Sequence, residues 1–220
     1  MNLKHILIVI VLVLLSSVFF SCKENPTKSD DDTSSTPDPN GSEVIIGNNE
    51  LSISVPFGSE GDARQWTQIL YLANEIGESG TIKGLALMAS TTLPGTYTKF
   101  EIFLQEVTRN ELDNRPWKNN EGNISDDDWK VLNLGQLVYG AEEIDQNKWH
   151  NFTFDNAFSY NGTDNLLVDI RRNTSGGTAS VDVYGFNTIN SNRIVSVASP
   201  YDGVPGTLQE KALYVKLLFN

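Results

Sequence analysis

After residue 43 every apolar run is short, and turn-forming pairs punctuate the stretches between runs: Pro94-Gly95, Asn161-Gly162, Gly176-Gly177, Asp202-Gly203 and Pro205-Gly206. Glycine supplies backbone angles that other residues avoid, and proline removes a backbone donor, so such pairs end regular structure and reverse the chain. The runs they separate alternate with a period of two, the strand signature. Lys99 to Gln105 sets Phe100, Ile102 and Leu104 on one face. Leu166 to Ile170 is continuously apolar except for Asp169, as an inner strand would be. Ser180 to Phe186 sets Val181, Val183 and Gly185 together, and Ala212 to Phe219 aligns Leu213, Val215, Leu217 and Phe219. One stretch reads two ways. Trp66, Ile69, Leu70, Ala73 and Ile76 recur at helical spacing, while Gln68 to Leu72 equally suits a buried strand. Many short strands with tight turns predict an all-β fold, a single antiparallel β-sandwich of jelly-roll or immunoglobulin-like type.

The N-terminus is built differently. Residues 1–22 read MNLKHILIVIVLVLLSSVFFSC, a short basic start at Lys4 followed by apolar chain. Ile6 to Phe20 is 15 residues, short of the roughly 20 that span a bilayer, so the segment reads as a secretory leader. A cut after Ser21 would make Cys22 the mature N-terminus, as in bacterial lipoproteins, where that thiol is diacylated. Phe19 and Phe20 depart from the usual Leu and small residue of the lipobox. Two acyl chains suffice for stable anchoring. Lys23 rather than Asp follows the cysteine, which resembles lipoproteins sent to the outer membrane of Gram-negative cells. The leader is thus 1–21, and residues 22–42 form a lipidated cysteine with an acidic linker. That linker carries no apolar side chain beyond Pro26, Pro37 and Pro39, a composition expected to stay disordered.

Residues 43–220 form the expected domain, long enough to bury about 70% of its unfolded surface. Composition then removes whole classes of function. The chain carries 28 acids against 16 Lys and Arg. No basic face is offered to nucleic acid, whose binding depends on neutralising phosphates. A single cysteine excludes a disulfide framework and multi-thiolate metal sites. With His5 in the leader, His150 alone remains for general-base work. It has no Gly-x-Ser-x-Gly elbow to activate, and no HExxH, Walker A or GxGxxG pattern occurs. The expectation is a protein that is not an enzyme.

Several segments in a fixed order go further. They include Ile45-Ile46-Gly47, Gln68 to Gly77, Gly80-Thr81-Ile82, Tyr97 to Leu104, Val138-Tyr139-Gly140, Trp149 with Phe152-Thr153-Phe154, and above all Phe158-Ser159-Tyr160-Asn161-Gly162-Thr163-Asp164-Asn165-Leu166-Leu167-Val168. Together they resemble a β-sandwich, jelly-roll-like module of bacterial surface and secreted adhesin-like proteins, over nearly all of residues 44–220. The resemblance implies fold and location, and brings no catalytic residues with it.

Candidate ligand residues follow from side-chain chemistry. Trp117 and Trp129 lie in the long polar stretch from Asn110 to Lys130, and Tyr201 in a second turn-rich loop. Exposed aromatic rings stack on the apolar faces of sugars, so these three are the expected glycan contacts. Trp66 and Trp149 sit in apolar patterns and are expected in the core. Asp126, Asp127 and Asp128 crowd three carboxylates into one turn-rich stretch, with Asp155 and Asp164 bracketing another loop. Such hard oxygen ligands suit a structural calcium ion. Arg171-Arg172 is expected as a salt-bridged strand end. The expectation is therefore a lipid-anchored protein of the outer membrane or cell surface with an adhesin-like or ligand-binding sandwich. Its partners would be the membrane through the anchor, and a glycan or cell-surface protein. A carbohydrate-binding module and a structural envelope protein are the alternatives.

Overall fold

The computed structural model describes residues 41–58, 64–91, 95–114, 130–134, 137–139, 146–174, 181–198 and 204–220. Its strands are, in chain order, β1 (Glu43–Ile46), β2 (Leu51–Ile53), β3 (Arg64–Tyr71), β4 (Gly80–Met88), β5 (Gly95–Val107), β6 (Lys130–Leu134), β7 (Leu137–Tyr139), β8 (Trp149–Tyr160), β9 (Asn165–Thr174), β10 (Val183–Asn187), β11 (Ile194–Ala198), β12 (Thr207–Gln209), β13 (Lys211–Leu213) and β14 (Val215–Phe219). One helical turn, α1 (Ala73–Ile76), follows β3. All strand pairs are antiparallel.

One layer is a seven-stranded sheet in the order β12-β11-β3-β9-β5-β6, with β7 also paired to β5. The facing layer has two parts, β1-β14-β4-β8 and β13-β10-β2. A bridge between Ala89 and Val183 connects them. So does the chain itself, since β13 passes into β14 at Tyr214, whose N–H donates to the Tyr184 carbonyl at 3.0 Å. The molecule is the expected all-β antiparallel sandwich.

Alternation explains what fills it. From β9, Leu166, Val168 and Ile170 point inward; from β5, Phe100, Ile102 and Leu104 do so; from β14, Val215, Leu217 and Phe219. All are fully or almost fully buried. Phe57, on the connection from β2 to β3, plugs the space between layers with its ring 5.6 Å from Phe100, 5.5 Å from Tyr97 and 6.4 Å from Phe152. Gly185 of β10 is required by close approach, since a Cβ there would lie 2.2 Å from Ile53 Cδ1.

The segment with two readings contains both structures in succession. Residues 64–71 are strand and 73–76 a helical turn, ended by Gly77 at φ +67°. Glu75 holds that turn in place. Its carboxylate accepts from the Leu72 N–H at 2.8 Å and from Arg193 Nη1 and Nη2 at 3.1 Å each, while Arg193 Nη1 also donates to the Leu70 carbonyl.

The Tyr160–Asp164 block forms the turn between β8 and β9. Asn161 Oδ1 accepts from the N–H groups of Thr163 and Asp164, Asn161 Nδ2 donates to the Asp164 carboxylate, and Tyr160 OH donates to the Asp164 carbonyl. Gly162 adopts φ +77° there. Asp155 and Asp164 do not bracket a loop. Asp155 lies within β8, where the pairing with β4 shifts register, and its Oδ2 accepts the Asn133 N–H of β6 at 3.0 Å. It ties an edge of one layer to an edge of the other, and Asp164 is engaged in its own turn.

Candidate functional site

Among the described residues, the outer face of the seven-stranded sheet is covered at one end. There Leu70, Leu167 and Val195 are capped by Leu112. The capping segment is tied down because Asn165 Nδ2 donates to the Arg109 carbonyl at 2.7 Å and Leu112 N–H to the Asn192 carbonyl at 2.8 Å. Beyond this cap the same face opens into a depression of about 440 Å³ lined by Arg64, Trp66, Lys99, Glu101, Phe103, Lys130, Arg171 and Asn173.

Register brings these residues together. Trp66 of β3 pairs with Arg171 of β9, and Arg171 with Glu101 of β5. One row along, Arg64 pairs with Asn173, and Asn173 with Lys99; in the other direction Phe103 pairs with Asp169 on one side and Lys130 on the other. Each is an alternate residue of its strand, so all point outward while Ile170, Ile102 and Ile69 point into the core.

The floor is rigid by construction. The Arg171 guanidinium lies 4.7 Å from the Trp66 ring and 4.1 Å from the Phe103 ring, a cation held between two aromatic faces. It also donates to the fully buried Asp169 carboxylate, with Nη2 at 3.1 Å, and Asp169 accepts from Gln68 Nε2. Glu101, itself buried, draws in two ammonium groups, Lys99 at 3.0 Å and Lys130 at 3.2 Å. Trp66 and Lys130 are half-buried at the walls, and Arg64 and Lys99 are exposed on the rim.

Two expectations are corrected here. Trp66 and Trp149 are not core residues. Each falls on the outward phase of its strand, Trp66 over Arg171 and Trp149 tilted against Tyr214 with ring centroids 4.6 Å apart and Lys216 Nζ 5.3 Å from its ring. Nor is Arg171-Arg172 simply a salt-bridged end. Arg171 does pair with Asp169, but as the floor of the depression. Arg172 points inward and is 1% exposed, donating to the Pro56 carbonyl at 2.9 Å and to Gln65 Oε1 at 2.8 Å beneath the Tyr97 ring.

The residues expected to carry the site, Trp117, Trp129 and Tyr201, lie outside the described residues, as do Cys22 and Asp126, Asp127 and Asp128. Among the described residues no group of three or more His, Cys, Asp and Glu converges to hold a metal ion. His150 sits in the opposite layer, half-buried, its ring edge-on to Phe152 at 5.0 Å, and burial lowers its pKa below the usual 6.5. The sequence signal for the depression was present but weak. Period-two counting from Tyr71 back to Arg64 puts Trp66 in phase with the polar Gln68, and from Leu166 forward it puts Arg171 in phase with Asp169. No family model, curated protein or solved structure matches the chain.

Proposed function

We propose that this chain is a lipid-anchored envelope protein, exposed at the outer membrane or cell surface, whose adhesin-like sandwich binds a glycan without transforming it. The ligand face is the end of the seven-stranded sheet that carries the depression. One observation carries the reading: Trp66, set over Arg171, borders a depression with hydrogen-bonding and charged side chains on all sides. An indole edge beside fixed donors and acceptors suits a sugar, which has apolar CH faces and a periphery of hydroxyls. The anchoring half of the proposal rests on the leader and on Cys22, with residues 23–42 as tether. Binding is favoured over catalysis because His150 is placed in the other layer, against Phe152, away from the depression.

Both halves are testable in the same strain. Cys22→Ala should move the protein from the membrane fraction to the soluble fraction, and continued membrane retention would refute the anchor. On a glycan array the purified protein should retain specific sugars, and Trp66→Ala should weaken that retention at least tenfold, about 1.4 kcal/mol. Retention that is indifferent to Trp66→Ala would place the ligand elsewhere.

A further inference from the structure

The charge of the depression runs opposite to that of the domain. Residues 44–220 carry 22 acids and 13 Lys and Arg. The depression instead gathers four cations, Arg64, Lys99, Lys130 and Arg171, against the carboxylates of Glu101 in its lining and Asp169 beneath it. Among the described residues the balance there is +2, set in a domain of −9. Neither carboxylate is offered to a ligand: Asp169 is fully buried under Arg171, and Glu101 is 5% exposed between the two lysines it holds. Arg171, 6% exposed, is as covered as Glu101; what faces outward is Arg64 and Lys99, exposed on the rim, with the half-buried Lys130 and Trp66 beside them.

Resting on the proposed glycan face, we infer that the ligand is an anionic polysaccharide, its sugar rings against Trp66 and its carboxylate or sulfate groups over Arg64, Lys99 and Lys130. Charge complementarity selects the anion, since in a shallow, part-exposed site these cations attract a negative group and repel a positive one. The aromatic wall selects a sugar over a simple polyanion, because a ring face adds contact that charge alone does not. Asn173, half-buried in the same lining, adds amide donors and an acceptor for neutral hydroxyls. The net acidity of the domain works in the same direction, since it disfavours an acidic polymer away from a cationic patch.

The test compares three polymers on the purified protein: polygalacturonate, the same polymer after carboxyl reduction, and polyglutamate of matched charge. The inference expects polygalacturonate to bind at least tenfold tighter than its reduced form, and to weaken about tenfold between about 0.05 and about 0.5 M salt as screening shortens. Arg64→Gln/Lys99→Gln, both exposed and replaceable without disturbing the core, should remove that preference, so that the variant binds charged and reduced polymers alike; a preference that survives in it would overturn the inference. Equal binding of charged and reduced polymers, both weakened by Trp66→Ala, would overturn the anionic inference and leave the glycan face standing. Polyglutamate binding as tightly as polygalacturonate would overturn the sugar component. No binding to any polymer or array glycan would overturn the inference and the proposed function together.

Discussion

Three phenols donate to backbone carbonyls: Tyr71 to Leu213 at 3.1 Å and Tyr97 to Phe57 at 2.9 Å between distant segments, and Tyr160 to Asp164 at 2.6 Å within the β8–β9 turn. Each can serve only while protonated, and burial raises each pKa, that of Tyr97 from 10.0 to about 12, with Arg172 opposing slightly. In the unfolded chain the same phenol titrates near 10. Above pH 10 the unfolded chain therefore releases a proton that the folded chain retains, so stability is complete below pH 10 and drains away as pH rises toward 12. For Tyr97 alone the linkage amounts to about 1.4 kcal/mol lost at pH 11 and about 2.3 kcal/mol at pH 12. Tyr97→Phe removes this sensitivity at the cost of one hydrogen bond, about 1 kcal/mol, since the Phe57 carbonyl loses its donor. The variant should be less stable than the parent at pH 8 by about 1 kcal/mol, equal to it just below pH 11, and more stable by about 1 kcal/mol at pH 12. Urea unfolding followed by tryptophan fluorescence at pH 8, 11 and 12 measures all three, and lysine titration, common to both proteins, cancels in the difference. Stability curves that stay parallel from pH 8 to 12 would refute the assignment of Tyr97 as a buried, protonated donor.

Two further changes probe the turns at the capped end of the sheet. Gly162→Ala forces a left-handed backbone on a residue with a Cβ, which would also lie 2.6 Å from Ser79 Cβ; a loss of about 2–3 kcal/mol is expected in urea unfolding, and a loss under 0.5 kcal/mol would show that the β8–β9 turn readjusts freely. Arg193→Met leaves the Glu75 carboxylate without its paired cation and the Leu70 carbonyl without that donor, so about 3 kcal/mol should be lost, seen as a Tm lower by roughly 6–12 °C; an unchanged Tm would mean that α1 is held by packing alone.

What could be read from the chain divides along a physical line. The turn pairs and the period-two runs are local, and they suffice for strands, for the sandwich and for the inward phases of β5, β9, β10 and β14. The depression is not local. Its residues come from β3, β5, β6 and β9, and only antiparallel register places Arg64 beside Asn173 and Lys99, or Trp66 beside Arg171 and Glu101. In β3 the phase itself was masked, because Gln65, Thr67 and Gln68 are buried although polar, so polarity did not mark the outward side and Trp66 read as core. The adjacent arginines show the same limit most plainly. As neighbours in sequence they look like one basic strand end, yet a period of two sends them to opposite faces. Arg172 goes inward, where the Pro56 carbonyl and Gln65 accept its donors under Tyr97; Arg171 goes outward, where Asp169 and two rings fix its guanidinium as the floor of the depression. Two residues of identical chemistry thus do different work, one bracing the inner layer and one supporting the ligand face. Spacing within β9 separates their faces, but the partners that β3 and β5 bring across the sheet decide the work that each arginine does.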